Sequence, residues 1–287
     1  MHADVATAEV SELRGLVHEG EVLVLTGAGI STDSGIPDYR GPDGQLRHRA
    51  PMTYDRFVGS REDRRRYWAR SHLGWGVVAA ARPNTGHEAI TGLQRHGLVR
   101  GIATQNVDGL HEASGARDVI DLHGRLDRVV CLDCGTRRSR REIAMRLDAV
   151  NPGFAAERVS RDNGEMRPDG DVAITEEQVA RFRLVDCRLC GGVLKPDVVF
   201  FSEHVPQDRF RRALGLLARS RMLLVLGSSL VVGSGFRFVT AARRKGIPIA
   251  IVNLGATRGD QHAHVKIDLP LQAVLPGLVA ATERAGV

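Results

Sequence analysis

The sequence predicts an α/β protein: a parallel sheet with helices on both faces, interrupted by a helical insertion and by a small cysteine-bearing module. Three observations predict it. Short apolar runs alternate with segments of helical period along most of the chain, the pattern of strands buried on both faces. Several of those runs end in small or polar clusters, GAGIS, TQNVDGLH, LHG, GSS and NLG. In a doubly wound sheet such strand ends share one edge, where ligands bind. The four cysteines fall in two C-x-x-C pairs with none left over.

Taken in order, residues 5–20 carry apolar positions at helical spacing and stop at Gly20, so they read as an amphipathic helix. The apolar run 22–25 is a buried strand that ends abruptly in Gly27-Ala28-Gly29. Glycines there remove Cβ atoms where a phosphate would sit, and free N–H groups at a following helix start favour negative charge. A tight strand-to-helix turn with no ligand is the alternative, because the third glycine, Gly35, comes too late for G-x-G-x-x-G. Ile36-Pro37-Asp38-Tyr39-Arg40 then sets a carboxylate, an aromatic ring and a guanidinium beside the loop, in the manner of a ligand lid.

Residues 45–84, Arg-rich and containing Trp68 and Trp75, read as a helical insertion broken at Pro83, with a helix over 85–96. Residues 98–104 and 119–122 are the next strands, the first ending in Gln105-Asn106-Val107-Asp108 and the second in His123-Gly124. The cysteine module interrupts from 125 to 195, and its stretch 151–171, rich in Asn, Asp, Gly and Pro, reads as a mobile loop. Strand character returns at 198–201, 222–226, 248–252 and 265–269, with helices over 236–245 and 272–284.

Of 40 basic residues, 37 are arginines, and the formal net charge is +6. The clusters at 61–66 and 137–141 read as solvated basic faces, so direct nucleic-acid binding is not expected. No apolar stretch approaches the roughly 20 residues of a membrane helix, and no signal or transit peptide is evident. A cytoplasmic protein is expected.

The cysteines make the clearest chemical signal. Cys131, Cys134, Cys187 and Cys190 supply four thiolates for one tetrahedral zinc, with no open position for catalysis, so the ion would be structural. A redox dithiol is the alternative. The 52 residues from 135 to 186 are far more than a compact ribbon needs. The amides and carboxylate of Gln105, Asn106 and Asp108 suit a ribose and a carboxamide, or else form an Asx-type turn. His123, with a reference pKa near 6.5, suits a general base or is a satisfied polar group.

GAGIS…SGIPDYRG resembles the signature of the sirtuins, the NAD-dependent protein deacylases, and the likeness runs through the later motifs in order. It implies a Rossmann-type NAD-binding domain from 1–44, 85–124 and 196–287. Segments 45–84 and 125–195 would together form the small zinc-binding domain, with a longer cysteine gap than is usual. The activity implied is NAD-consuming removal of an acyl group from lysine, giving nicotinamide and O-acyl-ADP-ribose. Mono-ADP-ribosyl transfer to protein is the alternative. His123 would be the base that deprotonates a ribose hydroxyl, with His111 a decoy, and Asn106 and Asp108 would position the ribose and nicotinamide.

The resemblance extends the NAD contacts to Gly27, Ala28, Gly29, Ser31, Ile36, Asp38, Tyr39, Arg40, Gln105 and Leu271. On the adenosine side it adds Gly227, Ser228, Ser229, Asn253, Leu254 and Gly255. An acylated-lysine peptide would add as a strand between the segments of Val199 and Phe200 and of Val231. Ser202-Glu203-His204 departs from the glycine and glutamate of many relatives there. Tyr67-Trp68-Ala69-Arg70 has the Y-x-x-R spacing that desuccinylating members use to hold an acidic acyl chain, and RYWAR…GW most resembles the class II branch. A packing tyrosine and a surface arginine are the alternative. An acidic or long acyl chain is thus expected as readily as acetyl.

Overall fold

The computed structural model describes residues 2–39, 41, 51–156, 172 and 174–285. In chain order these form helix α1 (His2–His18), strand β1 (Val22–Thr26), helices α2 (Tyr54–Gly59), α3 (Arg61–Ala80) and α4 (Thr85–Arg95), and strand β2 (Val99–Thr104). There follow α5 (Leu110–Ala113), β3 (Val119–Asp121), β4 (Gly124–Cys131), β5 (Arg137–Ser139), α6 (Arg140–Val150), α7 (Glu176–Arg181) and β6 (Leu194–Val198). The chain closes with α8 (Gln207–Ala218), β7 (Met222–Leu226), α9 (Gly233–Arg244), β8 (Ile249–Val252), β9 (Val265–Ile267) and α10 (Leu271–Ala285).

Six strands make one parallel sheet in the order β3-β2-β1-β7-β8-β9. Side chains alternate between faces along a strand, so each run buries two sets of residues. Val22, Val24, Leu224 and Val252 pack under α1, α4 and α10 on one face. Leu23, Leu25, Val225 and Ile251 pack against α8 and α9 on the other. All of these are fully buried or nearly so. That is why the strands read as unbroken apolar runs rather than alternating ones.

A second sheet is antiparallel, in the order β5-β4-β6, and has a core of its own. Phe57, Tyr67, Trp68, Val129, Ile143, Leu147, Phe182 and Phe200 fill it, drawn from α2, α3, α6, β4 and the segments that follow α7 and β6. Trp68 Nε1 donates to the Leu194 carbonyl at 3.1 Å, pinning α3 to β6.

One strand expectation needs correction. The strand around 198–201 lies earlier, at Leu194–Val198, and pairs antiparallel with β4 instead of joining the parallel sheet. Lys195-Pro196-Asp197 hid it, being too polar to read as a strand. Pro196 is tolerated because β6 is an edge. The buried Lys195 ammonium is paired with Glu203 at 3.0 Å and lies over the Phe200 ring. Residues 199–201 continue as an extended edge, tied by a bridge between Phe201 and Thr53. The helix expected over 236–245 begins earlier, at Gly233. Most of the stretch read as a mobile loop, residues 157–171, and the 45–50 part of the helical insertion lie outside the described residues.

Candidate active site and zinc site

One row of paired residues crosses the parallel sheet at its carboxyl edge. Asp121 pairs with Thr104, Thr104 with Thr26, Thr26 with Leu226, Leu226 with Val252, and Val252 with Ile267. The residues one or two positions after that row therefore share one edge: His123, Gln105, Gly27, Gly227 and Asn253. The strand order reverses between β1 and β7, which makes this pair the topological switch point, where a crevice opens. A cleft of about 1280 Å³ lies there.

At the crevice the two strand-end loops press together. A Cβ on Gly27 would fall 2.7 Å from the Gly227 carbonyl oxygen, and one on Gly29 would fall 2.9 Å from Gly227 Cα. Glycine is required here for close approach. The expectation of a helix start with free N–H groups is corrected by this geometry. Two single 3₁₀ turns, Ala28–Ile30 and Thr32–Ser34, follow the strand. The N–H groups of Gly27, Gly29, Ile30 and Ser31 are already spent on carbonyls within and across the two loops.

The polar end of β2 is held by a buried hydroxyl ladder. Thr26 Oγ1 donates to Thr104 Oγ1 at 2.8 Å, and Thr104 Oγ1 accepts from the Asn106 N–H at 3.1 Å. Asn106 Nδ2 donates to the Gly27 carbonyl at 3.0 Å and to Ser31 Oγ at 3.1 Å. Ser31 Oγ in turn donates to Asp108 Oδ2 at 2.8 Å, while Asp108 Oδ1 takes the Leu110 N–H at 2.9 Å. Burial pushes the Asp108 carboxyl above its ordinary pKa, and these two donors hold it down in part. The rotamers of Asn106 and Asp108 are thus fixed before any ligand arrives.

His123 follows Leu122, whose fully buried side chain and N–H bond to the Thr104 carbonyl (2.8 Å) anchor it. Its ring sits between Gln105, whose carbonyl lies 2.8 Å from Nδ1, and Ser234, whose hydroxyl lies 2.8 Å from Nε2. Burial brings its pKa down to about 4, so the ring is neutral at ordinary pH. Its carbonyl accepts from the Val199 N–H at 2.7 Å, which ties the histidine directly to the extended edge 199–201. His111 has a different place. It is 1% exposed, lies 2.9 Å from Thr26 Oγ1, and is driven by burial to a pKa of about 3. It is absent from the cleft wall and buttresses the hydroxyl ladder.

Most residues singled out from the sequence line this cleft: Gly27, Ala28, Gly29, Ser31, Ile36, Asp38, Tyr39, Gln105, Asn106, Asp108, His123, Val199, Phe200, Gly227, Ser228, Ser229, Asn253, Leu254 and Leu271. Arg40 lies outside the described residues. Three do not line it. Gly255 gives its N–H to Asp268 at 2.7 Å, and Val231 turns outward, with Val232 and Gly233 lining the wall in its place. Arg70 donates from Nε to the Val172 carbonyl at 2.9 Å, while Tyr67 reaches the cleft with its ring packed on Phe57 and Phe200. Residues three apart share a helix face, but the wall of the cleft meets only the Tyr67 end of it.

Sequence reasoning missed Ser234 and Asn84. Asn84 caps α4 and donates to the Ile30 carbonyl at 2.7 Å, stapling the glycine loop to that helix. The Pro83-Asn84-Thr85 break carried that signal. A serine within VVGSGF carried none.

The four cysteine sulfurs all lie within 4.8 Å of one another, with Cys131 and Cys190 at 3.5 Å and Cys134 and Cys187 at 3.8 Å. Zinc–thiolate bonds of about 2.3 Å in a tetrahedron need sulfur separations of roughly 3.8 Å. The donor set and spacing therefore fit one closed structural zinc. Both pairs sit in turns at the ends of β4 and before β6, so the ion would join the two long strands of the antiparallel sheet.

A doubly wound sheet with a polar, glycine-lined switch point and an inserted four-thiolate module defines a nucleotide-dependent enzyme fold. The Sir2 family model matches residues 27–234, and the chain belongs to the Sir2 family. It is 52% identical to NAD-dependent protein deacetylase 1 of Streptomyces coelicolor, over 98% of this chain and 91% of that protein. It is 50% identical to NAD-dependent protein deacetylase 1 of Mycobacterium avium, over 92% of each. Among solved structures, a Sir2 protein with a p53 peptide and NAD+ superposes with a TM-score of 0.72 at 31% identity, covering 96% of this chain and 98% of that one.

Proposed function

We propose that this protein removes acyl groups from lysine side chains of proteins, consuming NAD and releasing nicotinamide and an O-acyl-ADP-ribose. The observation that carries the reading is the position of His123. A neutral imidazole stands where the glycine loop, the Gln105-Asn106-Val107-Asp108 strand end and the edge 199–201 meet.

NAD, when bound, supplies the leaving nicotinamide and the ribose that accepts the acyl group. Gly27, Ala28, Gly29, Ser31 and the lid residues Ile36, Asp38, Tyr39 and Arg40 would enclose its centre. Gly227, Ser228, Ser229, Asn253, Leu254 and Leu271 would hold its adenosine side, with Gly255, which gives its N–H to Asp268, shaping the turn behind them. Asn106 and Asp108, locked by Ser31 and the backbone, orient the ribose and nicotinamide. His123 takes up a proton at Nε2, the nitrogen left bare when Nδ1 donates to the Gln105 carbonyl. The peptide would lie as an added strand between Val199 and Phe200 on one side and the 231–233 segment on the other. The apolar wall of Tyr67 and Phe200, with Arg70 engaged at Val172, favours a neutral acyl chain over an acidic one.

We assign residues 1–44, 85–124 and 196–287 to the NAD-binding domain, and 45–84 with 125–195 to the zinc-bearing one. We assign the protein to the cytoplasm, because a zinc site of four thiolates suits a reducing compartment. Among the described residues no helix is long and apolar enough to cross a membrane.

The test is nicotinamide release with lysine peptides bearing acetyl, succinyl and long-chain acyl groups, alongside His123→Ala and Arg70→Ala. Turnover that His123→Ala lowers by about 10²–10⁴-fold supports deacylation with this base. ADP-ribose found covalently on protein, with no deacylated peptide, would establish ADP-ribosyl transfer instead. Preference for succinyl lost in Arg70→Ala would reverse the acyl assignment.

A further inference from the structure

Ser234 stands on the first turn of α9, and nothing in the sequence marks it. Its hydroxyl oxygen lies 2.8 Å from His123 Nε2, and both side chains line the cleft. The other ring nitrogen faces the Gln105 carbonyl at 2.8 Å. A carbonyl oxygen only accepts, so Nδ1 carries the ring proton and Nε2 holds a bare lone pair. Ser234 is then the donor to Nε2. That lone pair lies in the ring plane and accommodates one good hydrogen bond, and the serine fills it.

The serine is held firmly. Gly235, its neighbour, is buried against the Gln105 side chain, and a Cβ there would fall 2.8 Å from Gln105 Nε2. Gln105 Oε1 accepts from Ser228 Oγ at 2.7 Å, so the same residue meets both α9 and the loop after β7. The Gly235 N–H donates to the Val232 carbonyl at 3.1 Å, fixing the turn from the other side. The ring of His123 is thus gripped between the end of β2 and the start of α9. Arg209, whose Nη1 donates to the Leu122 carbonyl at 3.4 Å, is the charged group that bears on the ring from α8.

We propose that Ser234 both positions the general base and relays the proton to it. It fixes the Nδ1–H tautomer of His123, aims Nε2 into the cleft, and conducts the incoming proton to it. The step balances: Ser234 gives its hydroxyl proton to Nε2 while its oxygen takes one from the hydroxyl being activated in the cleft. The serine ends neutral and the imidazole ends as imidazolium. The inference rests on His123 being the base of the proposed reaction.

The test uses the full chain with Ser234→Ala and Ser234→Thr. In the ligand-free protein, ¹⁵N NMR of His123 should show the Nδ1–H tautomer in wild type, and a shift of the Nε2 resonance in Ser234→Ala as its donor is lost. Deacylated product should fall tenfold or more in Ser234→Ala, while nicotinamide exchange, which precedes any need for the base, stays within about twofold. Ser234→Thr should restore product formation. A bowed proton inventory in wild type should become linear in Ser234→Ala. The proposal is overturned if Ser234→Ala deacylates within twofold of wild type or faster, if both steps fall together, or if the Nε2 resonance does not move. Absence of deacylation in wild type would instead remove the proposed function, and the NMR arm would still report on Ser234.

Discussion

The two sheets of this molecule are stabilised in different ways. The parallel sheet is buried on both faces by aliphatic residues, and its central strands β1 and β7 are apolar from end to end except for Thr26. The antiparallel sheet has three strands and a small core, and that core holds cations. Arg140 is 1% exposed, with its guanidinium 5.0 Å from the centre of the Trp68 ring and 5.4 Å from that of Trp75. Lys195 is 3% exposed, under Phe200 and Tyr54. A unit this small has too little apolar surface to close a core unaided, so aromatic rings, buried ion pairs and a metal site supply the difference. The larger sheet is general-purpose burial, and the smaller is held at particular points.

The largest effect expected from that contrast is loss of zinc. Metal binding in such four-thiolate sites carries on the order of 10–16 kcal/mol of folding free energy. Both tryptophans of the chain, Trp68 and Trp75, lie on α3 against the smaller core, so their fluorescence reports on that unit. Chelation or Cys131→Ala should collapse the tryptophan signal and leave most of the far-UV circular dichroism of the parallel sheet. Simultaneous loss of both signals would make the molecule one cooperative unit and erase the contrast.

Next is Leu224→Ala, at a fully buried position in the centre of the parallel sheet. It should cost about 2–5 kcal/mol in urea unfolding, because the cavity cannot close between two packed faces.

The ion pair of the smaller unit should behave asymmetrically. Burial lowers the Lys195 pKa despite Glu203, so the folded state gains little from the charge itself. Glu203→Gln, which strands the buried ammonium, should cost about 2 kcal/mol, and Lys195→Met should cost under about 1 kcal/mol. Equal costs in urea unfolding would show that the pair is a net stabiliser.

The smallest expected effect is on pH dependence. Burial brings His87 and His123 down to about 4 and His111 to about 3, all three beside the parallel sheet. Unfolded, each binds a proton below its ordinary pKa of about 6.5, and folded it does not. Stability is therefore intact above that value and is lost as pH falls below it, by about 0.7 kcal/mol per histidine from pH 7 to 6. Asp121 acts in the opposite sense, since burial raises its carboxyl to about 7 and the folded state takes up a proton as pH drops. That offsets about 1 kcal/mol of the roughly 2 kcal/mol from the histidines, leaving a net loss of about 1 kcal/mol. Urea midpoints at the two pH values measure it, and Asp121→Asn should steepen the loss.

Legibility followed the same division. Strands of the parallel sheet announced themselves because burial on both faces demands uninterrupted apolar runs. The antiparallel strand Leu194–Val198 was hidden because its lysine and aspartate are satisfied by partners outside the strand, Glu203 and, for Asp197, the sequence-distant Arg137 at 2.9 Å.

What the chain determined by itself was the identity of its chemistry. Glycines with no room for a Cβ, four cysteines in two pairs, and polar clusters at strand ends are constraints on residue type, and residue type is written in the sequence. What only the tertiary structure decided was which of those groups meet. His123 and His111 each follow a leucine just beyond a strand end, yet one faces the cleft and the other supports a threonine ladder. Ser234 stands against His123 although 111 positions separate them. Sheet pairing brings distant strand ends into one row, and helix docking turns a serine toward a histidine. Those contacts depend on how elements pack, and no local pattern encodes them.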